Sequence, residues 1–198
     1  SIVPTLCSAL PGTNGSWPSR LAERLAANPA TAHLSIVNQG ISGNRVLADG
    51  AGVSALARFD RDVLSVAGVR WLMILEGIND IGQLGRGGTL DPDALIGAMK
   101  QLIARAHTHG IKVIGCTLTP YGGAGYATET GEELRARLNE FIRTSRLFDA
   151  VVDFDAATRD PGNPRQFLPA YNNTDHLHPN DAGYRAMANA IDLAIFTR

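Results

Sequence analysis

The sequence predicts one domain with a three-layer α/β fold, in which a parallel β-sheet lies between two layers of helices. Short apolar segments alternate with longer amphipathic segments, which is typical of strands joined by crossover helices. Residues 69–75 and 111–118 are apolar almost throughout, as expected of strands that are buried on both faces. At 198 residues, the chain is long enough for one domain with a full hydrophobic core.

The helices are predicted from the spacing of apolar residues and from signals at their ends. The first helix covers residues 17–27, with Pro18 in its first turn. Residues 92–109 form a strongly amphipathic helix, with Asp91 as its N-cap and Gly110 directly after its end. Further helices are predicted at residues 51–66, 129–145 and 181–196.

Four strands are predicted, each ending in or followed by polar residues. They cover residues 34–38, 69–75, 111–118 and 150–154. Ligands of open parallel sheets bind beyond the carboxyl ends of the strands. We therefore expect functional side chains in the strand tails, above all in N-Q-G after the first strand and E-G-I-N-D after the second.

Composition excludes several classes of partner. The chain is 44% hydrophobic and 19% charged, and its net charge of -1 comes from well-mixed acidic and basic residues. Nothing therefore indicates nucleic acid or an anionic membrane as partner. No apolar run approaches the ~18 residues that span a bilayer. Cys7 and Cys116 match no metal-binding spacing and are interpreted as two unpaired thiols, with a disulfide as the less favoured alternative.

The segment N-T-D-H-L-H-P-N-D-A-G-Y places Asp175 and His178 three residues apart, just before the last helix. A carboxylate at this spacing can hold the Nδ1–H of the ring while Nε2 faces a substrate, which is the base-and-orienter half of a nucleophilic hydrolase. One alternative is a turn residue followed by a surface histidine. A weaker one is a zinc site that adds His176 but lacks a distant ligand.

Asn79 and Gly40 are candidate donors to an oxyanion. A side-chain amide at a strand end can stabilise a developing negative charge, and a glycine lets the backbone N–H approach a ligand closely. Ordinary turn chemistry explains either residue equally well when it is taken alone. Ser42, in the same turn as Gly40, is a candidate nucleophile but lacks the G-x-S-x-G motif.

In chain order, G-x-x-G-N after one strand, G-x-N-D after the next and D-x-x-H-P before the last helix resemble the SGNH (GDSL) hydrolase family. Gly40 matches the glycine block, Asn79 the asparagine block, and Asp175 with His178 the final block. The surrounding residues are similar to a bacterial branch related to carbohydrate esterases. The resemblance covers nearly the whole chain and implies a three-layer α/β/α sandwich with a flavodoxin-like parallel sheet in the order 2-1-3-4-5.

The family's first block, roughly G-D-S-x-T-D-G, follows the first strand and supplies the nucleophilic serine. Counting back from W-P places Ser1 on that serine, and Ser8 is a lesser candidate. A missing central strand would leave two rows of backbone groups unpaired, at roughly 1–3 kcal/mol for each buried group. We therefore expect residues 1–198 to be a single domain whose first strand is missing from this sequence. Either residues upstream of Ser1 supply that strand or the start of the sequence is altered; a strand from another segment, such as a neighbouring molecule, is the less favoured alternative.

The leading hypothesis is a serine esterase. Ser1 would attack an ester carbonyl, with His178 as general base and then acid, oriented by Asp175. The oxyanion would be held by the N–H groups of Ser1 and Gly40 and by the amide of Asn79, with no metal or organic cofactor. The resemblance implies a small acyl group, such as acetyl on a sugar or a short-chain aryl ester.

Two other functions stay open. One is a non-catalytic SGNH-like module that binds carbohydrate or is inactive, and the weaker one is a metal-dependent hydrolase. Tyr121, Tyr126 and Tyr171 could stack on a sugar ring, although loop packing is the simpler interpretation of each. The expected partner is a small-molecule or carbohydrate ester, without nucleic acid or a membrane span. The resemblance is compatible with a secreted or periplasmic location, and the oligomeric state stays open.

Overall fold

A computed structural model of the chain describes the backbone of residues 2–3 and all of residues 15–197. The central strands are β1 (Ile2–Val3), β2 (Val37–Asn38), β3 (Trp71–Ile74), β4 (Lys112–Cys116) and β5 (Ala150–Val152). They form one parallel sheet in the order β2-β1-β3-β4-β5. This confirms the predicted α/β class and the expected strand order.

The helices follow the strands in sequence. They are α1 (Trp17–Ala27), α2 (Ala55–Phe59), α3 (Ile78–Ile81), α4 (Pro92–Thr108), α5 (Glu129–Thr144), α6 (Phe154–Thr158) and α7 (Asp181–Asn189). A π-helical turn, Asp60–Leu64, continues α2, and 3-10 turns occur at Leu84–Arg86, Pro169–Tyr171 and Leu193–Phe196. A hairpin of β6 (Arg159–Asp160) and β7 (Asn163–Phe167) completes the described elements. Within the described residues, no helix has the length and apolar composition needed to cross a bilayer.

Side-chain caps mark the starts of α2 and α4, and α2 and α7 are shorter than the helices that the sequence predicted. Asp91 caps α4 as expected, since its carboxylate accepts the N–H of Asp93 at 2.9 Å. The segment predicted as a helix from residue 51 becomes helical only at Ala55, after Ser54 accepts the N–H of Ala57. The last predicted helix ends at Asn189, and the chain resumes as a 3-10 turn.

Both faces of the sheet are covered, as the apolar strands predicted. Along β3, Leu72 and Ile74 join the hydrophobic cluster that includes α4 and α5, whereas Trp71 and Met73 join the cluster that includes α1 and α7. This division follows from the alternation of side chains along a strand. Cys116 is buried in the second cluster as a free thiol, and burial raises its pKa. Cys7 lies outside the described residues.

The central position of the sheet is occupied by β1. Ile2 lies opposite Val37 of β2 on one side and opposite Leu72 of β3 on the other, so β1 pairs with both neighbouring strands. We expected this strand to be missing from the sequence, and in the structure Ile2 and Val3 occupy its position between β2 and β3. That residues upstream of Ser1 extend the sheet stays a prediction.

Candidate active site

Asp175 and His178 form a hydrogen-bonded pair at the carboxyl edge of the sheet, immediately before α7. The Oδ2 atom of Asp175 lies 2.6 Å from Nδ1 of His178, and Oδ1 accepts the backbone N–H groups of Leu177 and His178 at 3.0 Å each. Because an ionised carboxylate only accepts hydrogen bonds, Nδ1 must carry the proton. Nε2 is then the basic nitrogen, as in the proposed half of a catalytic triad.

The turn around Asp175 keeps this carboxylate ionised. Partial burial acts to raise its pKa, but hydrogen bonds from the backbone and ring of His178 and from the backbone of Leu177 outweigh burial. The pKa of Asp175 therefore lies below its usual range. A carboxylate that stays charged at neutral pH can hold the ring in one tautomer and stabilise the imidazolium that forms during catalysis.

Asn79 lies in α3, the short helix that follows β3. Its Nδ2 atom donates to the backbone carbonyl of Asn44 at 3.1 Å, which fixes the orientation of the amide. One N–H of that amide remains to donate elsewhere. The neighbouring carboxylate of Asp80 is buried and accepts the backbone N–H groups of Val46 and Leu47 at 2.8 and 3.0 Å. The G-x-N-D motif therefore fastens the loop after β2 to α3.

In the loop after β2, Gly40 and Gly43 differ in whether their backbone N–H groups are hydrogen-bonded. The N–H of Gly40, the predicted oxyanion donor, donates to Oδ1 of Asn38 at 3.0 Å, so an oxyanion would have to displace Asn38. Gly43 adopts a φ of 75°, and among the described residues its N–H has no hydrogen-bond partner. It immediately precedes Asn44, whose carbonyl binds Asn79. Gly43 was not among the residues predicted for the site, although it is the second glycine of the G-x-x-G pattern.

Asn79 and His178 line one cavity, with a volume of about 70 Å³. Most of its remaining wall is apolar and includes Trp17, Leu75, Leu118, Leu177, Tyr184 and Met187. Two groups that are 99 positions apart in sequence thus face a common apolar space at the predicted edge of the sheet. Ser1 and Ser8, the predicted nucleophile and its lesser alternative, lie outside the described residues.

The other predicted residues do not join this cavity. Nδ1 of His176 lies 2.7 Å from the side-chain nitrogen of Asn172, and the described residues hold no group of three potential metal-ligating side chains. Tyr121 and Tyr126 are 1% and 9% exposed and pack against each other with ring centroids 6.0 Å apart. These two rings pack inside the protein and are too buried to stack on a sugar. Tyr171 is half-buried in a 3-10 turn.

Comparison with known proteins agrees with this geometry. The model of the GDSL-like lipase/acylhydrolase family matches residues 4–186. No curated protein sequence matches the chain significantly.

Solved structures share the fold at low sequence identity. A catalytic mutant of an acetylxylan esterase from Geobacillus stearothermophilus is 20% identical, with a TM-score of 0.71 over 96% of this chain and 89% of that one. The acetyl xylan esterase AlAXEase is 20% identical, with a TM-score of 0.69 over 96% of this chain and 97% of that one. A GDSL-like lipase from Bacteroides thetaiotaomicron is 21% identical, with a TM-score of 0.64 over 89% of this chain and 83% of that one.

The family match spans most of the chain and includes Asn79, Asp175 and His178. The parallel sheet has the strand order that the resemblance implied. The chain belongs to the GDSL-like lipase/acylhydrolase family and is a carboxylic ester hydrolase.

Proposed function

We propose that this ester hydrolase removes short acyl groups, acetyl above all, through an acyl-enzyme on a serine of its N-terminal segment. The observation that carries the proposal is that Asn79 and His178, whose ring is held by Asp175, line one small apolar cavity. The pair supplies a base with a fixed tautomer, and the amide supplies a donor for developing negative charge.

The reaction proceeds in two steps, acylation of the serine and hydrolysis of the acyl-enzyme. Nε2 of His178 takes the hydroxyl proton of the serine as its oxygen bonds to the ester carbonyl carbon, and Asp175 stabilises the imidazolium. The amide of Asn79 and a glycine N–H from the loop, Gly40 or Gly43, hold the oxyanion. The imidazolium then returns the proton to the departing alkoxide, and the acyl-enzyme is hydrolysed by a water that His178 activates in the same way.

The size of the cavity supports a short acyl group. Pockets for drug-sized ligands measure about 300–1,000 Å³, several times the 70 Å³ found here. A sugar as the alcohol part of the ester is supported by likeness to the fold of two acetylxylan esterases. We therefore propose acetylated carbohydrates as one substrate class, with aryl acetates as convenient model substrates.

The nucleophile is proposed to be Ser1 or Ser8, and two observations favour Ser8. The family match begins at residue 4, so it includes Ser8 but not Ser1. β1 runs parallel to β3, whose carboxyl end leads to Asn79, and in the sequence Ser8 follows β1 whereas Ser1 precedes it.

Hydrolysis of p-nitrophenyl acetate by the wild type and by single variants tests the proposal. His178→Ala is expected to lower kcat by about 10⁴-fold, and Asp175→Asn by a similar factor because it allows the wrong ring tautomer. Of Ser1→Ala and Ser8→Ala, only the variant that removes the nucleophile should lose the pre-steady-state burst. Rates on acetyl, butyryl and octanoyl esters should fall with acyl length, and acetylated xylo-oligosaccharides should be deacetylated.

Each alternative has its own outcome. Activity that survives His178→Ala would contradict the serine esterase mechanism. Loss of activity with a chelator would favour a metal-dependent hydrolase instead. Absence of turnover with every short ester, in a protein that binds xylo-oligosaccharides, would favour a non-catalytic module.

A further inference from the structure

Arg58 lies in α2 and is only 5% exposed, although it carries a full charge. Its guanidinium is surrounded by acceptors from several parts of the chain. Nη1 donates to the backbone carbonyl of Gln39 at 2.7 Å and to Asp62 at 2.9 Å. Nε and Nη2 both donate to the side-chain oxygen of Asn44, at 3.0 and 2.9 Å. A buried arginine with this many defined contacts holds its partners in a fixed arrangement.

Two of these partners enclose the segment that carries the candidate oxyanion donors. Gln39 directly precedes Gly40, and Asn44 directly follows Gly43. One guanidinium therefore fixes both ends of residues 40–43. Loss of the guanidinium would release both of these anchors of the loop.

Asn44 carries the same constraint to the third candidate donor. Its side chain is bound on both ends, by Arg58 at the oxygen and by the carbonyl of Val53, which accepts from Nδ2 at 2.9 Å. Its backbone carbonyl accepts the amide of Asn79 at 3.1 Å. Arg58, Asn44 and Asn79 thus form a continuous chain of contacts from α2 to the cavity, and Asn44 is only 1% exposed.

We propose that Arg58 is a positioning residue of the esterase, which aligns the loop of residues 40–43 and the Asn79 amide for transition-state stabilisation without touching the substrate. This inference rests on the proposed function. It predicts that Arg58 contributes to kcat rather than to substrate binding, because oxyanion donors act mainly on charge that develops in the transition state. Lysine cannot replace it, since one ammonium cannot reproduce the planar fork that reaches Gln39 and Asn44 together.

The test is Arg58→Lys in the full chain, assayed with p-nitrophenyl acetate. We expect kcat per active site to fall by about 10- to 100-fold, within the range for loss of an oxyanion donor, while KM changes less than 3-fold. The inhibition constant of a phenylboronic acid, which forms a tetrahedral adduct with serine, should rise in parallel with the loss of kcat/KM. Burst amplitude gives the concentration of active sites and so separates misfolded enzyme from slow enzyme.

Arg105→Lys is the matched control. Arg105 also contacts this region, through the carbonyl of Leu56 and the carboxylate of Asp60, but it reaches neither the loop nor Asn79. Its kcat should stay within 2-fold of the wild type. If Arg58→Lys does not fold, Asn44→Ala provides the second test, because it disconnects Arg58 from the loop and should show the same loss of kcat with little change in KM.

The outcomes separate this inference from the proposed function. If the wild type is active and depends on His178, but Arg58→Lys keeps its kcat per active site within 2-fold, the inference is wrong and the proposed function stands. A fall in burst amplitude alone, with normal turnover of the remaining sites, would assign Arg58 a purely structural role. If His178→Ala is as active as the wild type, the proposed function itself fails.

Discussion

At the scale of single residues, Glu76 shows how the fold changes the chemistry of a side chain. It lies between the end of β3 and Gly77 and is only 9% exposed. Burial raises its pKa to about 8, the charge of Arg58 at 3.6 Å opposes the rise, and the charge of Asp80 adds to it. At neutral pH Glu76 is therefore mostly protonated, and Asp62 is the main counter-charge of Arg58.

This raised pKa predicts that stability falls as the pH rises from about 4.5 to about 8. The unfolded chain releases the proton of Glu76 near pH 4.5, whereas the folded protein keeps it up to about pH 8, so stability declines as pH rises through that window. Glu76→Gln removes the titration. Between pH 6 and pH 9, the wild type should therefore lose about 2–3 kcal/mol more of its free energy of unfolding than the variant does. Urea denaturation at several pH values measures this difference.

Glu129→Gln is the control for that experiment. Glu129 is exposed, pairs with Arg165, and has a lowered pKa, so it does not titrate between pH 6 and pH 9. Its stability curve should run parallel to that of the wild type in this range. A Glu76→Gln curve that is also parallel would show that Glu76 titrates at its ordinary pKa in the folded protein.

At the scale of elements, the turn from β3 to α3 decides where Asn79 lies. Gly77 has a φ of 120°, which side chains rarely adopt, and a Cβ atom there would meet Leu138 at 3.0 Å. The glycine lets the buried strand turn at once into the helix that carries Asn79. The short helix was not predicted, because four residues give no measurable apolar period.

Gly77→Ala should therefore reduce both stability and activity. We expect a loss of about 1–3 kcal/mol in the free energy of unfolding from backbone strain, together with at least a 10-fold fall in kcat as α3 shifts. Gly68→Ala is the control, since Gly68 also has a positive φ but has open space around its Cβ position and no connection to the site. It should lose stability while keeping kcat, and equal kcat values for the two variants would contradict the role of the Gly77 turn.

At the scale of the whole molecule, two buried side chains, one from each hydrophobic cluster, differ in whether they line the cavity. Leu102 of α4 belongs to one cluster and is 2% exposed, whereas Met187 of α7 belongs to the other, is 1% exposed and lines the cavity. Each cluster thus holds a fully buried side chain, but of these two side chains only Met187 borders the proposed acyl site.

Truncation of these two side chains should separate stability from selectivity. Leu102→Ala and Met187→Ala should each cost about 2–5 kcal/mol in the free energy of unfolding. Only Met187→Ala enlarges the cavity, so it should raise the ratio of kcat/KM for butyryl over acetyl esters by about 5-fold or more. A similar shift in Leu102→Ala, or none in Met187→Ala, would show that this cavity does not hold the acyl group.

The sequence by itself determined the features that depend on short-range patterns. The buried strands, the capped helix α4 and the α/β class follow from the spacing of apolar residues and from the residues that cap helix ends. The Asp175–His178 pair was predicted for the same reason, since three residues of one turn bring the carboxylate to the ring. Arg58 was missed, although a charge between the buried residues Ala55 and Phe59 was a signal for a buried contact.

Only the tertiary structure decided the contacts between distant loops. Asn79 meets Asn44 across 35 positions, and Arg58 joins Gln39 and Asn44, because strands β2 and β3 deliver their tails to the same edge of the sheet. The hydrogen bond from Gly40 to Asn38 depends on loop conformation, and so does the N–H of Gly43, which has no partner within the described part of the chain. The spacing of hydrophobic residues along the chain indicates which residues are buried. The hydrogen-bond partner of a polar group depends instead on which loops meet, and only the folded chain brings those loops together.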